Sequence, residues 1–103
     1  MKKASTSRPT GRDGITRLVD VPNVGPAVAA DLRRLGITSP GELSGHDPYA
    51  MFDDLCRLTG QRHDPCLLDT FTAAVSYANG GAARPWWEFS RERKARQAAG
   101  QAG

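Results

Sequence analysis

The run Val21-Pro22-Asn23-Val24-Gly25-Pro26-Ala27-Val28 has the makings of an anion site built from backbone alone. Pro22 fixes φ at the approach to a turn. Asn23 is one of the few residues with a side chain that tolerates a left-handed conformation. Gly25 has no Cβ to hold another backbone away. Pro26 suits the first position of a helix, where the N–H it lacks has no partner to lose. The first-turn N–H groups of such a helix carry the positive end of its dipole and favour an anion such as phosphate. The donors selected by this reading are the amides around Asn23, Val24, Gly25, Ala27 and Val28. Arg33 and Arg34 lie further along the same helix and Arg17 lies before it; they either add charge to the site or are ordinary surface arginines.

A second group is Cys56, His63 and Cys66, spaced Cys-x6-His-x2-Cys with Asp64 adjacent. Zinc accepts these ligand types, but a closed structural site takes four, and the paired Cys-x2-Cys knuckle is missing. Asp64 or a partner chain would have to complete the set, and Asp64 is better employed as a helix cap. The preferred reading is two thiols packed as small hydrophobes. A redox pair is the alternative, with Cys66 near a helix N-terminus where a thiol pKa falls. Neither a metal nor a cofactor is implied. Nor is an enzyme: His46 stands in a loop, the adjacent Asp53 and Asp54 point to different helix faces, and neither Gly-rich phosphate-loop pattern occurs.

These groups need elements to hold them, and apolar spacing supplies helices. Ile15–Val19 reads as a short first helix, followed by a hairpin over Asp20–Gly25. A second helix runs over Pro26–Leu35 and stops at Gly36. Ser39-Pro40-Gly41-Glu42 opens a third in the manner of a capping box. Asp47-Pro48 opens a fourth, with Met51, Phe52, Leu55 and Leu58 inward and Gly60 as its end. Asp64-Pro65 opens a fifth, with Leu67, Leu68, Phe71, Val75 and Ala78 inward, ended by Asn79-Gly80-Gly81. No stretch alternates with period two for long enough to make a strand. The expectation is an all-α bundle of about five short helices over residues 15–83. In residues 84–103, Trp86 and Phe89 stand at i and i+3 and are expected to cover an apolar groove of the bundle. Alternatively, aromatic rings beside basic groups stack on the bases of single-stranded nucleic acid. The remainder reads as a basic, frayed tail.

At 103 residues the chain has room for one modest core. No apolar run approaches a membrane span, and the basic start MKKASTSRPTGRDG lacks the apolar stretch of a secretory signal. A cytoplasmic location is the expectation, with the two cysteines as thiols. The formal net charge of +3 is unevenly placed. Residues 1–14, read as a disordered N-terminal tail, hold four cations against one acid, and residues 84–103 hold five against two. The middle, 15–83, holds five against eight, so the basic excess lives in the tails rather than on a face of the bundle.

The stretch from Leu18 to Leu35 resembles the helix-hairpin-helix superfamily, with Asn23 standing where the first turn glycine is usual. Over roughly residues 15–89, the phrases LGITSPGEL, MFDDLCRLTGQRHDPCLLDTF and PWWEF resemble the small bacterial pathogenicity-locus family, often labelled helix-hairpin-helix or mitomycin-resistance proteins. The resemblance implies a SAM-like bundle that grips duplex DNA by its backbone without strong sequence preference, in a setting of DNA damage or repair. One hairpin grips weakly, which implies a homodimer or a protein partner; no membrane is implied. Two other functions stay open: a protein-interaction module without DNA contact, and a thiol sensor built on Cys56 and Cys66.

Overall fold

A computed structural model describes residues 14–102 of the chain, so the basic stretch before Gly14 lies outside the described residues. Four α-helices follow one another: α1 (Pro26–Arg34), α2 (Pro48–Thr59), α3 (Pro65–Ala78) and α4 (Trp86–Ala102). Two short 3₁₀ turns, Leu18–Asp20 and Pro40–Leu43, complete the fold. No strand occurs among the described residues, and the all-α expectation holds.

The helix starts follow the local chemistry. Asp47 caps α2 by accepting from the Tyr49 N–H at 2.9 Å, and Asp64 caps α3 by accepting from the Cys66 N–H at 2.8 Å. In each case proline takes the next position, where no N–H is wanted. The ends are equally local. At the end of α1, Gly36 adopts φ +85°, its N–H donates to the Arg33 carbonyl, and the Ile37 N–H donates to the Leu32 carbonyl. The same pair of bonds closes α3 through Gly80 and Gly81. A Cβ on Gly81 would lie 2.8 Å from the Ser76 carbonyl oxygen, so the chain needs glycine there.

Three expected elements differ. The first helix is only the 3₁₀ turn Leu18–Asp20. Pro22 forces Val21 into extended backbone (ψ 133°), so no α-helix can pass that point, and Arg17 on the other side of the turn is extended as well (φ −113°, ψ 141°), which leaves three residues between them. The hairpin therefore has an α-helix on one side only. The third element is likewise a 3₁₀ turn, and the expected capping box is displaced. Ser39 makes no cap bond, while Glu42 reaches back to the Thr38 N–H at 2.8 Å. The C-terminal segment, expected to dock and then fray, is instead a single helix of 17 residues. Its Glu, Arg, Lys, Ala and Gln content favours helix. Spaced pairs also support it: Arg84 Nε donates to Glu88 at 2.8 Å, and Arg93 donates to Gln97 at 3.3 Å.

α3 is the central element, packed against both α2 and α4. The core gathers Leu18, Val21 and Val24 from the N-terminal turn, Ala29 and Leu32 from α1, and Met51 and Leu55 from α2. From α3 come Phe71, Ala74, Val75 and Tyr77. Leu58, expected inward, is 63% exposed. Phe89 is buried and Trp86 half-buried against the bundle, as their spacing predicts, while Trp87 is 55% exposed.

Candidate nucleic-acid interface

The hairpin is a four-residue turn in which the Val24 N–H donates to the Val21 carbonyl at 3.0 Å. Pro22 precedes Asn23, whose φ of +73° is the positive value a type II turn requires at its third position. The left-handed tolerance expected of Asn23 is used here. Its side chain does something the sequence did not announce. Asn23 Nδ2 donates to the Arg84 carbonyl at 2.7 Å, and Oδ1 accepts from the Trp86 N–H at 3.2 Å. Asn23 thus caps α4 from more than sixty residues away and ties the hairpin to that helix.

This geometry sorts the expected donors. Val24 drops out, because its amide is spent on the turn and its side chain is core. The Asn23 side chain is engaged by α4. Gly25 starts α1 with φ −92° and ψ −177°, ordinary extended backbone, and its carbonyl accepts the first helical bond from the Ala29 N–H at 2.9 Å. No side chain caps α1. The first-turn amides of Ala27 and Val28 therefore face outward from the helix end. A Cβ at Gly25 would meet nothing within 4 Å.

The solvent face of α1 is small, with one acid, the half-buried Asp31, at its edge. Gly25, Pro26, Ala27, Ala30, Arg33 and Arg34 are all exposed, while Val28 is half-buried and Ala29 and Leu32 are buried beneath. Arg34 donates to Asp31 at 3.1 Å, so part of its charge is compensated. Arg33 has no ion-pair partner among the described residues. At 1.5 Å per residue it lies about 12 Å along the helix from Gly25. Arg17 is spent: its side chain donates twice to Asp20, at 3.0 and 3.1 Å. That bond raises the arginine pKa and lowers that of the aspartate.

The cysteine group does not assemble. Among the described residues no three His, Cys, Asp or Glu groups are placed to hold a metal ion. The His63 ring instead bonds Thr59 Oγ1 through Nε2 at 2.8 Å. Neither thiol is buried as expected: Cys66 is exposed and Cys56 half-exposed. The helix N-terminus does not activate Cys66 either. Its pKa is raised, first by its hydrogen bond to Asp64 and then by desolvation, with the charge of Lys94 acting weakly the other way. The carboxylate that caps the helix cancels the dipole that would have favoured a thiolate.

Sequence reasoning missed the buried polar centre between α3 and α4. Asp69 is 1% exposed and accepts from Arg93 Nε at 2.8 Å and from Arg93 Nη2 at 3.0 Å. Ser90 Oγ also donates to it. The hydrogen bond to Asp69 raises the Arg93 pKa. One signal was present: Asp69 is the only charged residue between Pro65 and Ala78, in a helix otherwise fit to be surrounded.

The fold and this face describe a small all-helical domain with an uncapped, arginine-edged helix at its surface. The chain belongs to the pathogenicity-locus family, which matches residues 11–95. It is 45% identical over 85 residues to a "Mitomycin resistance protein McrB" from Streptomyces lavendulae, covering 82% of this chain and 80% of that relative. No solved structure matches. No helix among the described residues is long and apolar enough to cross a membrane.

Proposed function

We propose that this protein is a non-enzymatic binder of nucleic-acid backbone, duplex DNA foremost, acting without strong sequence preference through the exposed face of α1. The observation that carries the reading is the composition of that face: Gly25, Pro26, Ala27 and Ala30, with Arg33 and Arg34 at its far end and the one acid of the helix, Asp31, half-buried and paired with Arg34. Small residues let a phosphate reach the first-turn amides of Ala27 and Val28, and the dipole favours it there. Arg33, about 12 Å on, meets a second phosphate. The name of the mitomycin-resistance relative fits a setting of DNA damage.

The test is Gly25→Asp, measured by fluorescence anisotropy on labelled duplex DNA. The site has open space and unstrained backbone, so the variant keeps its helical circular dichroism. Its carboxylate takes the place of phosphate, and duplex binding is expected to fall at least tenfold. Unchanged affinity overturns the reading. A protein-binding role is the second reading, favoured by exposed Leu58, which sits with Arg34, Leu35, Asp54 and Arg57 around a shallow surface concavity. Such an apolar contact would respond little to salt, where backbone binding responds steeply.

A further inference from the structure

α4 carries a second surface that the α1 reading leaves unused. Trp87, Arg91 and Lys94 recur at i, i+4 and i+7, which places them on one stripe of the helix, and all three are exposed. Trp86 packs edge-on against Trp87, with ring centroids 6.1 Å apart and planes at 82°, and leaves the outer face of the Trp87 ring to solvent. Arg91 and Lys94 have no ion-pair partner among the described residues. The acids of α4 are engaged elsewhere: Glu88 accepts from Arg84 Nε at 2.8 Å, and Glu92 pairs with Arg84 Nη2. The stripe is therefore an indole followed by two cations outside any ion pair, with Glu88 and Glu92 beside Arg91 already held by Arg84.

We infer that this stripe binds an unpaired nucleobase on Trp87, with Arg91 and Lys94 on the phosphates of the same strand. Deepening the α1 reading, on which it rests, this makes the preferred ligand a duplex that runs into single strand. Charge complementarity selects the occupant. A polyanion with exposed π-faces matches one aromatic ring beside two cations, and stacking of this kind is sequence-tolerant. A protein partner is a poor match, because a stable interface buries about 800 Å² per side around an apolar centre. Beyond the indole this stripe offers only charge and, at Ala98, a methyl group.

The two surfaces are joined. Asn23, two residues before Gly25, holds the Trp86 N–H at 3.2 Å. Chain geometry then keeps the Trp87 Cα within about 20 Å of the Gly25 Cα. That is roughly six base steps at ~3.4 Å each, close enough for one DNA to touch both.

The experiment uses the full chain and two labelled DNA hairpins, one blunt and one carrying the same stem with a single-stranded thymidine tail. Binding is read by anisotropy and by tryptophan fluorescence. Wild-type protein is expected to bind the tailed DNA about tenfold more tightly than the blunt one, with quenched tryptophan emission on the tailed DNA alone. Trp87→Ala should erase the preference and keep blunt-duplex affinity and helical content, while Trp87→Phe should keep part of it. Equal binding of both DNAs, or a preference that survives Trp87→Ala, overturns the inference and leaves the α1 reading standing. If Gly25→Asp leaves the affinity for both DNAs unchanged while Trp87→Ala still erases the tail preference, the stripe stands and the α1 reading is overturned. No binding to either DNA overturns both. Sedimentation as a dimer that Trp87→Ala dissolves would give the stripe to a second copy of the chain, which also overturns it.

Discussion

Removing Asp69 should unlatch α4. The carboxylate is 1% exposed and accepts two bonds from Arg93, whose side chain is itself 10% exposed, and one from Ser90. In Asp69→Ala the guanidinium keeps only Gln97, at 3.3 Å, and is left as a buried, uncompensated charge. Breaking one side of such a pair costs about 3–5 kcal/mol. Arg93→Ala should cost a similar amount, because it strands the carboxylate. The double alanine variant should be only slightly worse than either single one, a coupling of about 3 kcal/mol in a double-mutant cycle. Asp69→Leu with Arg93→Met should recover most of the loss, since an apolar pair of similar volume needs no desolvation of charge. The assay is urea unfolding followed by far-UV circular dichroism. In a thermal scan, 3 kcal/mol corresponds to a midpoint at least about 12 °C lower for a domain of this size. A cost under about 1 kcal/mol for Asp69→Ala, or additive single costs, would refute the claim that this pair holds α4 in place.

Three further outcomes follow from single contacts. Asn23→Gly keeps the positive φ but loses both bonds to the start of α4 and should cost about 1–2 kcal/mol; Asn23→Ala adds left-handed strain of about 1 kcal/mol more, and denaturant midpoints separate the two. Ser39→Ala removes a hydroxyl whose oxygen is buried without a hydrogen-bond partner, so stability should be unchanged or raised by up to about 1 kcal/mol in urea unfolding. The Asp64 pKa is lowered from the ordinary 3.8, first by the Cys66 N–H. Its capping contribution is thus full above that value and lost as pH falls through the lower, folded one; Asp64→Asn should flatten that part of an acid titration, and its Cys66 should alkylate at lower pH than in wild type.

Local signals carried far in this chain, and long-range ones did not. The Asp-Pro starts of α2 and α3 and the glycine stops at Gly36, Gly60 and Gly80 were legible because each depends on its immediate neighbours. The left-handed backbone of Asn23 was legible for the same reason. Its capping of α4 was not, since nothing at position 23 points to Trp86. Asp69, Ser90 and Arg93 meet across more than twenty residues, so Arg93 read as one more charge in a basic tail. The first helix failed because Arg17, inside the expected span, is extended and Pro22 holds Val21 extended beyond it, where apolar spacing alone promised a turn of α-helix. The helix that carries Ala27, Val28, Arg33 and Arg34 was legible, with Gly25 at its start. Val24 was lost to the turn, a competition for one amide that apolar spacing cannot reveal.

The salt dependence of duplex binding tests the grip of α1 on the backbone most directly. Because Ser90 and Arg93 hold α4 to α3, the basic C-terminal charges cannot be tested by trimming the helix, and point variants of α1 are the sharper tool. Anisotropy of the full chain on duplex DNA should show affinity falling linearly in log–log form, with Arg33→Ala lowering the slope by about 1 and Gly25→Asp removing most of the binding. Affinity indifferent to salt, or a slope untouched by either variant, would contradict the claim that α1 grips the backbone.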